Sequence, residues 1–309
     1  MTRQKPLVSV VIPLYNKAGS ILQALSSVAS QTDASFEIVV VDDGSTDGSA
    51  EAVKRAGLSS LRLIEQANAG VSAARNRGIV AAEGTWIALL DADDLWSHDH
   101  LAGLLHAVDG TRAIAAFSNL RLQSREGRPF IDPKLSAQIV DDYFSFALSN
   151  GGYLISASSV MARKNELLAA GLFPSGVSSG EDIDTWCRLA FRGSFVYDAR
   201  LSATYNDVGS STLGGRGKAM RPLFAERLSG LIRDGGVPPT LAESSRRYAN
   251  FLLLEYARQL LDLGLHAEAR AVLLNDCRLG YDARRFLRRL ARTSPVGRTM
   301  FRLVRAGSA

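Results

Sequence analysis

The stretch FEIVVVDDGSTDGS, residues Phe36–Ser49, decides the fold of this 309-residue chain. It begins with an apolar, β-branched run that is typical of a buried strand. It then turns at Asp42-Asp43-Gly44 and continues into Ser, Thr and Asp residues that favour the start of a helix. A strand that leads through a short loop into a helix is the repeating unit of a parallel sheet. The stretch therefore predicts an α/β fold with carboxylates at the end of a buried strand.

The same alternation extends over the first ninety residues. Four short apolar runs predict strands at Val8–Pro13, Phe36–Val41, Leu61–Ile64 and Trp86–Leu90. Helical spacing predicts helices around Ile21, Leu25 and Val28, over Ala50–Ala56 and over Val71–Ala82. We expect a mixed, mostly parallel sheet flanked by helices, with ligands at the carboxyl ends of the strands.

The pattern changes to long helices from Arg216 onward, which predicts a catalytic domain over residues 1–215 and a helical C-terminal region over residues 216–309. Two amphipathic segments, Tyr248–Leu263 and HAEARAVLLNDC, flank Gly264 and predict a helical hairpin of tetratricopeptide type. A single hairpin is not a repeat array, so we expect a helical appendage.

The net charge of +5 is concentrated at the C-terminus. Residues 281–309 contain eight arginines and one acid, a charge of +7, which leaves −2 for the first 280 residues and predicts no nucleic-acid partner. This tail either lies on an anionic membrane surface, packs on the protein as a terminal helix, or is partly disordered. The apolar residues that interleave with its arginines are Phe286, Leu287, Leu290, Met300, Phe301, Leu303 and Val304.

The N-terminus lacks the layout of a signal peptide, and no apolar run reaches the roughly 20 residues that span a bilayer. We therefore expect a cytoplasmic protein that can be peripheral on the inner face of the membrane. The two cysteines, Cys187 and Cys277, lie far apart and predict neither a disulfide framework nor a zinc site.

Two pairs of acids follow predicted strands. Asp91 and Asp93 share one face of the extended chain after WIALL, which suits a hard divalent cation such as Mg²⁺ or Mn²⁺. The alternative is an acidic turn or a helix N-cap, since Asp94 precedes a helical stretch. Asp42 and Asp43 either shape a turn or accept hydrogen bonds from a nucleoside.

Three further positions suit a nucleotide or a proton transfer. The Tyr15 ring can stack on a base, and Arg75 can face a phosphate or base oxygen, although a helical arginine is usually a solvated surface group. The cluster Glu181-Asp182-Ile183-Asp184 either favours a helix dipole or supplies a general base.

Over residues 6–215 the chain resembles the inverting family-2 glycosyltransferases, whose catalytic domain has the GT-A fold. The resemblance rests on five motifs in the family's order: VSVVIPLYN, FEIVVVDDGSTDGS, NAGVSAARNRG, WIALLDADDLW and GEDIDTWCRLA. The helical region after residue 216 has no counterpart in the shared core.

The resemblance implies a role for each matching residue. Asp182 would be the catalytic base, and Asp93, with Asp91 beside it, would bind Mn²⁺ or Mg²⁺ at the donor diphosphate. Asp43, rather than Asp42, would accept a hydrogen bond from the base. The nucleotide-sugar site would be lined by Pro13, Tyr15, Asn16, Asp43, Arg75, Asp91 and Ala92. Three further residues would support the catalytic base or contact the acceptor: Glu181, Asp184 and Trp96. Two of them, Glu181 and Asp184, would also be alternatives to Asp182 as the catalytic acid–base group.

We thus expect an inverting glycosyltransferase that moves a sugar from a nucleotide-sugar to a hydroxyl group of a carbohydrate or glycolipid. The resemblance favours a UDP-sugar as the donor and cell-envelope polysaccharide synthesis as the process. The alternatives are a sugar nucleotidyltransferase and a non-catalytic sugar-nucleotide-binding or scaffold protein. The first loop lacks the GxGxxG of nicotinamide dehydrogenases. The sequence of the helical appendage is compatible with an oligomer but does not fix the oligomeric state.

Overall fold

The computed structural model describes residues 5–123, 128–177, 179–206 and 219–294. The chain divides into two compact units. One comprises Met1–Phe146 and Tyr153–Ser210, and the other comprises Ala147–Gly152 and Ser211–Ala309. The predicted boundary at residue 215 falls outside the described residues.

The first unit is built on a ten-stranded mixed sheet. Its strands are β1 (Val8–Leu14), β2 (Phe36–Asp42), β3 (Leu61–Glu65), β4 (Trp86–Leu89), β5 (Leu95–Trp96), β6 (Ala115–Leu122), β7 (Arg128–Pro129), β8 (Gln138–Val140), β9 (Val160–Arg163) and β10 (Phe195–Tyr205). They follow the order β3-β2-β1-β4-β9-β6-β10-β5, with β7 beside β6 and β8 beside β10.

The first four strands are all parallel, as predicted, and each begins at the predicted residue. Within this parallel part β1 is central, because it pairs with β2 on one side and β4 on the other. Strand β9 is antiparallel to β4 and β6, and β6 is parallel to β10. The loops after β1, β2 and β4 therefore emerge at one edge of the sheet.

The helices described in or beside this unit are α1 (Ile21–Ala29), α2 (Ser49–Arg55), α3 (Val71–Ala81), α4 (His100–Val108), α5 (Tyr143–Ser149), α6 (Lys164–Ala169) and α7 (Glu181–Ala190). The first three confirm the predicted helices to within one residue at each end. Buried apolar residues of β1, β2, α1 and α4 form the core on one side of the sheet.

Helix α3 lies unusually close to β1 because of a glycine. A Cβ added at Gly78 would lie 2.4 Å from Val11 Cγ1 and 3.3 Å from Val41 Cγ2. Any larger side chain there would push α3 away from the sheet. Gly78 therefore sets how deeply the residues of α3 sit against the strand ends.

The second unit is helical. Its helices are α8 (Leu223–Arg233), α9 (Ala242–Asp262), α10 (His266–Asn275) and α11 (Ala283–Arg292). The hairpin of α9 and α10 turns at Gly264, where φ is +79°, and confirms the predicted helical pair. Leu254, Leu273 and Phe286 belong to one apolar core that joins α9, α10 and α11.

Among the described residues, no helix combines the length and the apolar character that crossing a lipid bilayer requires.

Candidate active site

Hydrogen bonds join the loops that follow β1 and β2. The Asn16 N–H donates to Ser45 Oγ (3.0 Å), and Asn16 Oδ1 accepts from the Thr46 N–H (2.8 Å). The Lys17 N–H donates to Ser49 Oγ (2.8 Å). Asn16 adopts a left-handed backbone (φ +50°), which asparagine tolerates better than most residues. The Asn16 side chain, predicted to bind the nucleotide, therefore holds two loops together.

The other predicted nucleotide contacts near β1 differ in their access to solvent. Pro13 is buried within β1, opposite Val41 of β2. Tyr15 is 50% exposed, so a face of its ring is available for stacking on a base. The Ala92 side chain is buried in the apolar core, so a ligand at this edge could meet only its backbone.

Asp43 organises the start of α3. Its Oδ1 accepts from Gln66 Nε2 (2.7 Å) and the Ala69 N–H (2.9 Å), and its Oδ2 accepts from the Gly70 N–H (2.8 Å). An ionised carboxylate has about four acceptor positions, so these bonds leave one unused, although only 3% of Asp43 is exposed. By contrast Asp42 Oδ1 is buried and has no hydrogen-bond partner among the described residues.

Arg75 connects the acidic loop after β4 with the acids of α7. Only 4% of the residue is exposed, so it is not the solvated helical arginine that the sequence allowed. Its Nη2 donates to Asp91 Oδ1 (2.8 Å) and its Nη1 to Glu181 Oε1 (2.9 Å). Its Cζ lies 5.2 Å from the centroid of the Phe173 ring. Burial disfavours the charged guanidinium and lowers its pKa. The two carboxylates together have the larger effect and keep the pKa of Arg75 above its usual value.

Ser158 shapes the loop that carries the acids after β4. Its Oγ accepts from the Asp91 N–H (3.0 Å) and donates to Asp94 Oδ2 (2.5 Å). Asp94 also accepts from the Asn206 N–H (2.8 Å). Burial, helped by the charges of Asp91 and Asp93, raises the pKa of Asp94 to about 8. The alternative that Asp94 caps a helix is wrong, because α4 begins only at His100.

Asp93 is partly exposed and forms an ion pair with Lys17 Nζ. Among the described residues, no three His, Cys, Asp or Glu side chains are grouped so that they could hold a metal ion. The donor set is thus Asp91 and Asp93, one residue apart. Mg²⁺ and Mn²⁺ accept one or two carboxylates when phosphates and water complete the coordination, so these residues fit such an ion.

Helix α7 brings its first turn of acids to Arg75. Glu181 is buried in the ion pair with Arg75, whereas Asp182 is partly exposed. Burial and the negative charge of Glu181 raise the pKa of Asp182 to about 6, although Arg75 acts in the opposite direction. A carboxylate with such a pKa is mostly ionised at neutral pH and more basic than an ordinary aspartate, which suits proton abstraction.

Two predicted supporting residues need correction. Asp184 is fully buried, and its Oδ2 accepts from Arg188 Nε (2.8 Å), so it cannot reach an acceptor as an alternative base. Through Arg188, which also donates to the Leu172 carbonyl (2.6 Å), it supports the fold. Trp96 is 5% exposed, and its Nε1 donates to the Ser158 carbonyl (2.6 Å), so it holds the acidic loop and its side chain is not available to an acceptor.

Sequence reasoning missed three residues of this site: Lys17, Ser158 and Phe173. Lys17 directly follows the VSVVIPLYN motif, so its charge was a usable signal. No motif marks the other two. Phe173 is locked to α3 because its N–H donates to Asn76 Oδ1 (2.9 Å) and its carbonyl accepts from Asn76 Nδ2 (2.8 Å).

Residues 9–160 match the family described as glycosyl transferase family 2. An uncharacterised glycosyltransferase of Rickettsia felis is 32% identical over 66% of this chain, which spans about a third (34%) of that relative's length. A putative teichuronic acid biosynthesis glycosyltransferase, TuaG of Bacillus subtilis, is 29% identical over 72% of this chain and 87% of its own.

Solved structures share the fold. TarS residues 1–349 of S. aureus, in complex with UDP-GlcNAc, align with a TM-score of 0.68 and 19% identity over 92% of this chain and 90% of that one. The mannosyltransferase PcManGT of Pyrobaculum calidifontis, in complex with GDP-Man and Mn²⁺, aligns with a TM-score of 0.60 and 22% identity over 96% and 83%. The predicted GT-A architecture is confirmed, and the chain carries a glycosyl transferase family 2 domain.

Proposed function

We propose that this protein is an inverting glycosyltransferase that moves a sugar from a nucleoside-diphosphate sugar to an acceptor hydroxyl. One observation carries the proposal: Arg75 binds both Asp91 of the acidic loop and Glu181 beside Asp182. The acids suited to a donor diphosphate and the acid suited to a general base therefore meet at one buried arginine, although they are about ninety residues apart in sequence.

The nucleoside would lie along the carboxyl edge of the sheet. Asp43 follows β2 and Asp91 follows β4, and β1 lies between these strands. Two strand spacings separate them by about 10 Å. A base held near Tyr15 and Asp43 would then direct its diphosphate toward Asp91 and Asp93. Arg75 supports this arrangement by holding Asp91 rather than by contacting the nucleotide.

The acceptor would be activated by Asp182. Its carboxylate takes the proton from the acceptor hydroxyl as that oxygen attacks the anomeric carbon opposite the leaving diphosphate. A single attack from the opposite face inverts the anomeric configuration. Glu181 is held beside Asp182 by Arg75, and its negative charge helps to keep Asp182 basic.

Asp93, with Asp91, would hold Mn²⁺ or Mg²⁺, which would neutralise charge on the departing diphosphate. The two acids leave the remaining coordination positions to phosphate oxygens and water. The Mn²⁺ in the PcManGT complex belongs to a protein of the same fold and supports this choice of ion.

We favour UDP as the nucleotide and an envelope polysaccharide or glycolipid as the acceptor. The TarS complex contains UDP-GlcNAc, and the teichuronic acid name of the TuaG relative supports an envelope polymer. Neither fixes the sugar, because GDP-Man is bound in the other neighbour.

Helix α11 supports a peripheral contact with an anionic membrane, consistent with a cytoplasmic location. Phe286 and Arg289 are buried, and Arg289 Nη2 donates to Glu255 Oε1 (2.6 Å), so one face packs as a terminal helix would. Arg284, Leu287 and Arg288 are exposed on the other face. The predicted apolar residues Met300, Phe301, Leu303 and Val304 lie outside the described residues.

A panel of nucleotide-sugars tests this function. Purified full-length protein should release a nucleoside diphosphate from one donor in the presence of Mn²⁺ or Mg²⁺, and a chelator should stop the release. Release of pyrophosphate would instead indicate a nucleotidyltransferase. Tight binding of a nucleotide-sugar without turnover, with envelope glycans as acceptors, would indicate a binding or scaffold protein.

A further inference from the structure

Both acids of the Asp91-Ala92-Asp93 loop already have a positive partner from the protein. Asp91 accepts from Arg75, and Asp93 accepts from Lys17 Nζ. The two pairs differ in their surroundings. Arg75 is buried between two carboxylates, whereas the Lys17 side chain is 42% exposed and Asp93 is its one ion-pair partner among the described residues. The Asp93 side chain is 21% exposed, so this pair is more accessible to solvent than the pairs of Arg75, and Lys17 can leave its acid more readily than Arg75 can.

The backbone of Lys17 is fixed even though its side chain is exposed. Its N–H donates to Ser49 Oγ (2.8 Å), and its carbonyl accepts from the N–H groups of Ser20 (3.1 Å) and Ile21 (3.0 Å) at the start of α1. Only the four-carbon stem is therefore free to move. The ammonium can therefore leave Asp93 without any movement of the loop backbone.

A divalent cation at Asp93 would meet the Lys17 ammonium at the same carboxylate. Like charges at contact distance repel strongly, and the ammonium already occupies Oδ2, one of the two Asp93 oxygens that a cation could use. Arg75 differs from Lys17 because it also donates to Glu181, so its positive charge is shared between two carboxylates.

We propose that Lys17 is an internal competitor for the divalent cation: its ammonium neutralises Asp93 until a cation binds, and the cation must displace it. The inference rests on the proposed function, in which Asp93 is a metal ligand. Removing the charge of Lys17 should therefore strengthen cation binding. This is the opposite of the usual result, because the loss of a residue beside a metal site generally weakens metal binding.

Titration of the full-length protein with Mn²⁺ in the absence of nucleotide, with free Mn²⁺ followed by its electron paramagnetic resonance signal, tests this proposal. Lys17→Met should bind Mn²⁺ about two- to fivefold more tightly than the wild type, because a solvent-accessible ion pair is worth up to about 1 kcal/mol. Lys17→Arg keeps the charge and should bind as the wild type does.

Lys54 provides the matched control. It forms an exposed ion pair with Glu65 (2.7 Å) in the same unit, so Lys54→Met makes the same change in net charge and should leave Mn²⁺ affinity unchanged. Equal or weaker Mn²⁺ binding by Lys17→Met would overturn the proposal.

Asp93→Asn separates this inference from the proposed function. If Asp93→Asn loses Mn²⁺ binding while Lys17→Met matches the wild type, only the competitor role fails. If Asp93→Asn binds Mn²⁺ as the wild type does, the metal assignment itself is wrong, and the inference falls with it.

Discussion

At the scale of single residues, the protonation of Asp182 depends on two neighbours with opposite charges. Burial and Glu181 raise its pKa, and Arg75 lowers it, which leaves the value at about 6. Because the base acts in its ionised form, the sign is simple: activity is present above this pKa and is lost as the pH falls through it. A bare exposed aspartate would titrate near 4 and be a weaker base.

We therefore predict an acidic limb near pH 6 in the profile of kcat/KM, with roughly tenfold loss per pH unit below it.

Asp182→Asn should lose about 10² to 10⁴ in kcat while donor binding survives, because general-base catalysis is worth that much. Asp109→Asn, which changes an exposed acid, is the control. Normal turnover by Asp182→Asn would show that another group is the base.

Arg75 is the second residue whose removal should be informative. Arg75→Met leaves Asp91 and Glu181 without their buried partner, and breaking a buried pair costs about 3–5 kcal/mol of stability. Loss of its positive charge should also move the acidic limb of the rate profile above pH 6, whereas Arg75→Lys keeps the charge and should keep the limb. Arg77→Met, on the exposed side of α3, should change neither. An unmoved limb in Arg75→Met would remove Arg75 from the environment of the base.

At the scale of elements, the close packing of α3 on β1 determines where Arg75 lies. Gly78→Val would force branched carbons against Val11 and Val41, and overpacking of this kind costs about 1–3 kcal/mol. We expect a lower free energy of unfolding in urea and a loss of transferase activity. Val80→Ala, an exposed change in the same helix, should be close to neutral. Full stability of Gly78→Val would mean that the contact is not tight.

Helix α11 makes a prediction of the same kind. If its exposed face binds anionic lipid, the double variant Arg284→Gln and Arg288→Gln should lose about 2 kcal/mol, or roughly thirtyfold in binding to vesicles that contain phosphatidylserine. Arg233→Gln, an exposed arginine at the end of α8, is the control. Equal partitioning of the double variant and the wild type would leave α11 as a packed terminal helix only.

The elements of the parallel part could largely be predicted from the sequence, because each of its strands is a short and mostly apolar run. The segment Tyr153–Ala162 shows where this fails. It is equally apolar, but the structure divides it into an irregular stretch, a short turn at Ala157–Ser159 and β9. Ser158, which shapes the acidic loop, lies in that turn, and its role depends on contacts with residues 64 and 67 positions earlier in the chain.

At the scale of the whole molecule, the five family motifs located the acids, but not how they contact one another. The pattern around Arg75 has no apolar stripe that would predict its burial, and the Lys17–Asp93 pair joins loops 76 residues apart. Long-range ion pairs of this kind follow from the order of the strands, β2-β1-β4, which brings separate loops to one edge. A single sequence gives the composition of that edge but not its contacts.

The central claim is that one nucleotide and one divalent cation bind between Asp43 and Asp182 along this edge. A crystal structure of the protein with UDP and Mn²⁺, with the metal located by its anomalous scattering, tests it most directly. We predict a single peak beside Asp93 and Asp91, with the base near Tyr15 and Asp43 and the diphosphate at the metal. A metal peak or a nucleotide elsewhere on the molecule would contradict the account.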